Sequence, residues 1–384
     1  MNQEKLQINS IEQFTDLITS WYKENYHGFA DKYNAAVVNV KPIPEGTDPG
    51  VVHDWKNATI DDLCDFFQNW YKWNPDLSTG LECIQRFSWL YYENKKGLEF
   101  VTSDPGNLMT FYYVVLNGQK MDSPASKDLV AKWMNELGSK MDDYIIPEGG
   151  YKSFNKFFIR ELKEGKRPIS GVNDDSAVVS PADAVVNMID DNLSIETPIN
   201  VKTQKLNIVQ LLNNSEFAKN FEGGTAVSCI LMPTVYHRYH APVSGIVVES
   251  DEDVAGNYFG IDDFPKLING GNVGYGYDYS VFEHFRRGYV IIKTEKYGYI
   301  AMIPVGLNTI SSVIFKEKFK KVTSENPVGI CKGEEVGYFQ YGGSLNILLF
   351  EKGCFPAVRI PQGQIIGTLN EKGIADKDKQ QFSF

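Results

Sequence analysis

Two of the chain's five histidines fall in one short stretch, "MPTVYHRYHAPVSG", at His237 and His240 with Arg238 between them. A metal reading of H-x-x-H needs a third and a fourth ligand, and no Cys pair or H-E-x-x-H helix supplies them. Two imidazoles that transfer protons separately are the better functional reading, because imidazole titrates near neutral pH. A second stretch, "VVSPADAVV", stops a strand at Ser180-Pro181 and presents Asp183 before the next strand. Alone, an aspartate there is turn chemistry. A third, "QYGGSLNILLFEKG", sets Ser344 between the flexible pair Gly342-Gly343 and an apolar strand-like run. Ser344 is either a turn residue or a reacting group, and the motif by itself does not decide.

In order, "VVSPADA", "YHRYHAPVSG" and "KGEEVGYFQYGGSLNILLF" resemble the phosphatidylserine decarboxylase family, whose members carry S-P-A-D-G, Y-H-R-x-H-x-P and a G-G-S-T-type cleavage motif. "FNKFFIRELKEGKRPI" resembles the segment that precedes them, so the similarity spans roughly residues 150 to 365. The resemblance implies a pyruvoyl enzyme made as one chain and cut by itself between Gly343 and Ser344, its two pieces staying associated. Ser344 Oγ would attack the carbonyl carbon of Gly343, a strained approach that Gly342-Gly343 leaves unhindered. His240 matches the family's base, with Asp183 holding its tautomer as in a serine protease. The ester would then lose the Gly343 carboxylate by β-elimination, and hydrolysis of the dehydroalanine would leave a pyruvoyl group and ammonia. That ketone would form a Schiff base with an amino-acid substrate and accept electrons as carbon dioxide leaves, with neither pyridoxal phosphate nor metal. His237 would protonate the resulting carbanion, and Arg238 would serve packing or a carboxylate contact.

The chain departs from the family pattern in three places: Val235 where an acidic residue usually precedes Y-H-R, Ala184 after the aspartate, and Leu345 after the serine. None removes a proposed catalytic atom. The acidic amino-terminal region resembles that of relatives acting on free aromatic amino acids such as tryptophan. The expected substrate is therefore a soluble amino acid, with phosphatidylserine, and its conversion to phosphatidylethanolamine, as the alternative. A non-catalytic binding or scaffold module with Ser344 as a turn serine is a third reading.

Positioning these groups falls to two regions with different periods. Up to Gly150 the pattern is helical: "TIDDLCDFFQNWYKW" opens on Thr59 as N-cap, and "SPASKDLVAKWMNELG" runs from a Ser123 cap to a Gly138 stop. Their aromatics read as core faces rather than a ligand box. After one more helix, "FNKFFIREL", come short apolar runs separated by turns: "AVVNMI", "TAVSCILMP", "SGIVVES", "YVIIKTEKYGYIAMIPVG", "TISSVIF" and "NILLF". The expected fold is α+β, a helical domain over residues 1–150 followed by a β-rich catalytic domain over 151–384. A loop beginning "DEDVAG" and ending "GYDYS" is long enough for a lid, and the tail "DKDKQQFSF" reads as frayed.

With 42% hydrophobic and 13% aromatic residues, 384 residues bury a sizeable core. Five scattered cysteines suggest neither a disulfide framework nor zinc, and read as reduced and mostly buried. The formal charge of −11 is concentrated in residues 1–150, where 13 Lys/Arg face 22 Asp/Glu. Such a surface repels phosphate backbones and anionic leaflets, which argues against a nucleic-acid partner and weighs against a lipid surface outside a local basic patch. Lacking a signal-like leader or a spanning apolar run, the chain is expected in the cytoplasm.

Overall fold

The computed structural model describes residues 7–77, 79–195, 207–261, 284–307, 313–355, 357–364 and 366. Helices lead: α1 (Ile11–Lys23), α2 (Phe29–Val38), α3 (Ile60–Lys72), α4 (Glu82–Ser88), α5 (Lys95–Thr102), α6 (Gly106–Asp122), α7 (Lys127–Leu137) and α8 (Phe154–Phe158), with a single-turn α9 (Ile208–Leu211) further on. Thr59 starts α3 as expected: its hydroxyl accepts from the Asp62 N–H while the Asp62 carboxylate takes the Thr59 N–H. In the second predicted helix a 3-10 turn over Pro124–Ser126 precedes α7, and Gly138, at φ 53°, closes it. The helix expected over "FNKFFIREL" is shorter, because Leu162 leaves it to bridge Tyr144.

Strands follow as β1 (Val185–Asp190), β2 (Thr225–Leu231), β3 (Arg238–His240), β4 (Gly245–Val254), β5 (Arg287–Lys293), β6 (Tyr299–Leu307), β7 (Val313–Phe315), β8 (Val328–Ile330), β9 (Glu335–Phe339) and β10 (Gly343–Phe350). Seven form one antiparallel sheet in the order β1-β2-β10-β6-β5-β4-β8, and three form a second, β3-β9-β7. The fold is α+β. Each apolar run named from sequence supplies a strand, the long one supplying both β5 and β6. The short β3, β8 and β9 were not expected. Of the lid-like stretch, Asp251–Val254 belong to β4; residues 262–283, and the tail, lie outside the described residues.

Alternation along the central strand β10 divides the core. Leu345, Ile347 and Leu349 face the apolar cluster built from the amino-terminal helices, joined by Ile303 and Val305 of β6. Leu348 and Phe350 face the other way, into a cluster that includes Tyr239, Val313 and Phe339 of the small sheet. A third cluster, with Trp133, Phe154, Phe157, Phe158 and Tyr236, fills the corner between α7, α8 and the segment entering β3. Cys64, Cys83 and Cys229 are buried free thiols, and Cys331 and Cys354 are exposed ones.

Candidate active site

Ser344 is the second residue of β10, pairing with Leu231 of β2 on one side and Gly306 of β6 on the other. It is 2% exposed, and its Oγ has no hydrogen-bond partner among the described residues. Gly342, just upstream, has φ 150°, a backbone that side-chain-bearing residues rarely adopt. Gly343 differs: a Cβ there would meet Leu307 at 3.4 Å, an ordinary contact, so packing alone does not demand glycine. The approach to the Gly343–Ser344 bond is held from outside. The Tyr341 N–H donates to Asn155 Oδ1 of α8 at 3.0 Å, and the Tyr341 ring packs edge-on to Phe154 and Phe158.

His237 lies against the same corner. Its carbonyl accepts the Phe339 N–H at 2.9 Å, which ties it to the end of β9, five residues before Ser344. The ring is wholly buried and stacks on Phe158 with centroids 3.8 Å apart. Nδ1 faces the Val235 carbonyl at 2.9 Å, and because a carbonyl only accepts, Nδ1 carries the proton. Nε2 is then a bare, buried lone pair with no partner among the described residues. Burial first, and the nearby Arg160 charge second, push the His237 pKa down to about 3, so the ring is neutral at neutral pH.

His240 is held differently. Nδ1 donates to the Gly333 carbonyl at 2.8 Å, and Nε2 accepts from the Tyr236 hydroxyl at 3.0 Å. Burial lowers its pKa as well. The "SPAD" stretch is stitched to this strand by backbone bonds, His240 N–H to the Pro181 carbonyl at 2.8 Å and Val179 N–H to the Pro242 carbonyl at 3.0 Å. That brings Asp183 into the neighbourhood, yet its carboxylate is taken by Arg167, with Nε at 3.0 Å and a second nitrogen at 2.9 Å. The His240 ring is thus oriented by Gly333 and Tyr236, where the sequence reading gave that task to Asp183. Arg238 is committed to the protein itself: to the Ile159 carbonyl, Glu335 at 2.8 Å and Glu161 at 3.1 Å. It packs rather than waits for a substrate carboxylate.

None of the three departing side chains is a polar group of the site, although the Val235 carbonyl holds His237 Nδ1. Val235 is buried in the cluster under the small sheet, Ala184 packs at its edge, and Leu345 points into the helical core on the face of β10 opposite Ser344. Sequence reading passed over Arg167, Tyr236, Gly333 and Asn346. All four lie inside the stretches that carry the family resemblance, and Asn346 also stands out by type, an amide inside the apolar run "LNILLF".

A family model described as phosphatidylserine decarboxylase matches residues 154–369. The chain belongs to that family, and it is a decarboxylase, a carboxy-lyase. A phosphatidylserine decarboxylase proenzyme of Fusobacterium nucleatum is 34% identical over 262 residues, covering 66% of this chain and 81% of the relative. One of Clostridium novyi is 30% identical over 63% of this chain and 75% of the relative. Proenzyme 2 of rice is 29% identical over 68% of this chain, which spans only 39% of that longer protein. Enzymes of this family are pyruvoyl-dependent. Ser344, buried, unpartnered among the described residues and two residues after Gly342 with its glycine-favouring backbone, fits the residue from which such a group is made.

Proposed function

We propose that the chain is a self-processing phosphatidylserine decarboxylase, cut at Gly343–Ser344, with the pyruvoyl group formed from Ser344. The observation that carries this reading is the buried Ser344 hydroxyl, unpartnered among the described residues at the head of β10, in a chain whose named relatives are phosphatidylserine decarboxylase proenzymes. All three reported relatives are named for the lipid, which favours phosphatidylserine over the soluble aromatic amino acid expected from the acidic amino-terminal region. A local basic patch supports it. Lys152 and Lys156 line a groove of about 330 Å³ together with the buried Arg160, the Arg238–Glu161 pair and the exposed Ile145, with exposed Ile146 next in sequence. Arg160 also bonds the Thr234 and Val235 carbonyls, so the groove adjoins the His237 segment.

The pyruvoyl ketone supplies the electron sink for loss of carbon dioxide. The chain's own groups move the protons. For cutting, His240 Nε2 accepts the Ser344 proton once the Tyr236 hydroxyl turns away. For turnover, the unpartnered His237 Nε2 is the group that hands a proton to the carbon that has lost carbon dioxide. Phe158, stacked on the ring, keeps water from it.

On a denaturing gel the purified protein should run as a long chain ending at Gly343 and a short carboxyl-terminal one, while Ser344→Ala stays whole at 43.4 kDa and inactive. Carbon dioxide release should be seen with phosphatidylserine in micelles. Release from tryptophan or tyrosine and none from the lipid would return the reading to a soluble substrate, and an uncut wild-type chain would overturn the processing itself.

A further inference from the structure

Asn346 is two residues beyond Ser344 on the same face of β10, 0% exposed, and neither its Oδ1 nor its Nδ2 has a hydrogen-bond partner among the described residues. A carboxamide brings two donors and an acceptor oxygen, and burying them unpaired opposes folding. The neighbours in register offer them no partner among the described residues. Pro304 of β6 has no polar side-chain atom, and Cys229 of β2 offers only a weakly bonding thiol. Beyond Asn346 on this face the strand continues with Leu348 and Phe350 and is wholly apolar. Leucine or valine would satisfy this position better, so the amide is unexplained as a core residue.

Resting on the decarboxylase reading above, we propose that Asn346 is a substrate-recognition residue, whose carboxamide bonds the polar head of an amino-acid-headed substrate held at position 344. Residues two apart on one strand face are separated by about 7 Å. A head group whose amino nitrogen reaches position 344 carries its carboxylate and ester oxygens three bonds further on, and one hydrogen bond from the amide closes the remaining gap. The Nδ2 hydrogens suit those oxygens, so the residue selects for acceptors around the α-carbon.

The test is Asn346→Leu, assayed by thermal unfolding, denaturing gel and steady-state kinetics on a short-chain phosphatidylserine. The expected result is a melting midpoint raised by about 2 °C or more, complete cutting, and a KM raised about tenfold, equivalent to one lost hydrogen bond, with a smaller change in kcat. A lowered midpoint would show that the amide is satisfied within the fold, and an unchanged KM would show that it does not meet substrate; either overturns the inference. Loss of cutting in this variant would move Asn346 to maturation and overturn it too. Asn346→Thr, which keeps a hydroxyl in a strand-compatible shape, covers the case of a leucine variant that fails to fold: it should be cut and show a KM increase, and wild-type KM would count against the proposal. An uncut wild-type chain is a different result, the failure of the processing reading itself.

Discussion

His237 shows what burial does to an imidazole. Its Nδ1 proton is fixed on the Val235 carbonyl, so only Nε2 is free to exchange, and its pKa of about 3 keeps the resting ring neutral. An unfolded imidazole takes a proton below about 6.5 while the folded one resists until about 3, so between those values the unfolded state binds more protons. His237 therefore favours the fold fully above pH 6.5 and loses that contribution as pH falls toward 3. His240 shifts in the same direction, so the comparison must be with a variant rather than with theory. The melting midpoint of wild type should drop more between about pH 7.5 and about pH 5 than that of His237→Gln; parallel drops would mean that the ring is not buried neutral. The same variant should be cut normally yet turn over about 10²–10⁴-fold more slowly, measured as carbon dioxide release. Equal loss of cutting would merge the two histidines' tasks. The histidines, Asp183 and Ser344 were singled out from residue type and order, and the structure sets the Asp183 turn beside the His240 strand while giving its carboxylate to Arg167. Their partners were not legible, because Gly333 and Val235 act through carbonyls that every residue possesses, and Arg167 reaches Asp183 from a separate loop.

At the scale of the element, β10 works because its two faces do different things. The Leu345 side is a continuous apolar seam against the helices, and the Ser344 side carries the polar pair before turning apolar. Leu345 departs from the residue type usual at this place in the family, and its side chain fills core on the side of the strand away from Ser344. Leu345→Ala should cost about 2–5 kcal/mol through the cavity left in a packed cluster, read by urea unfolding, while cutting still goes to completion on a gel. Failure to cut in a folded variant would place Leu345 in the reaction. The strand was visible in sequence from its apolar run, and its alternation gave the facing once Ser344 was placed. Strand β3 was not visible, since three residues inside "YHRYHAP" are too few for a period to show. The small sheet, held by β3 and β9, came from tertiary pairing alone.

Across the whole molecule, the helices and the large sheet share one core. Phe259, following β4, packs against Trp70 of α3 and Phe87 of α4, and Tyr258 against Phe111 of α6. On the sheet side, Ile291 of β5, Ile303 and Val305 of β6, and Leu345, Ile347 and Leu349 of β10 lie in the same cluster as Phe14, Phe67 and Tyr113 of the helices. The change of period near Gly150 marks a change of architecture, and composition has no means of showing that apolar surface is common to both sides of it. Unfolding the helices alone would bare that face of the sheet, and the cost of exposing apolar area, about 25 cal/mol per Å², couples the two parts. All six tryptophans lie in the first 150 residues, so their fluorescence follows the helical region, while amide exchange in β6 and β10 follows the sheet. In a urea series the two probes should give coincident transitions with one midpoint. A fluorescence transition that completes while β6 and β10 amides remain protected would show instead that the sheet stands without its helical cover, and the shared core would then contribute little to holding Ser344 in place.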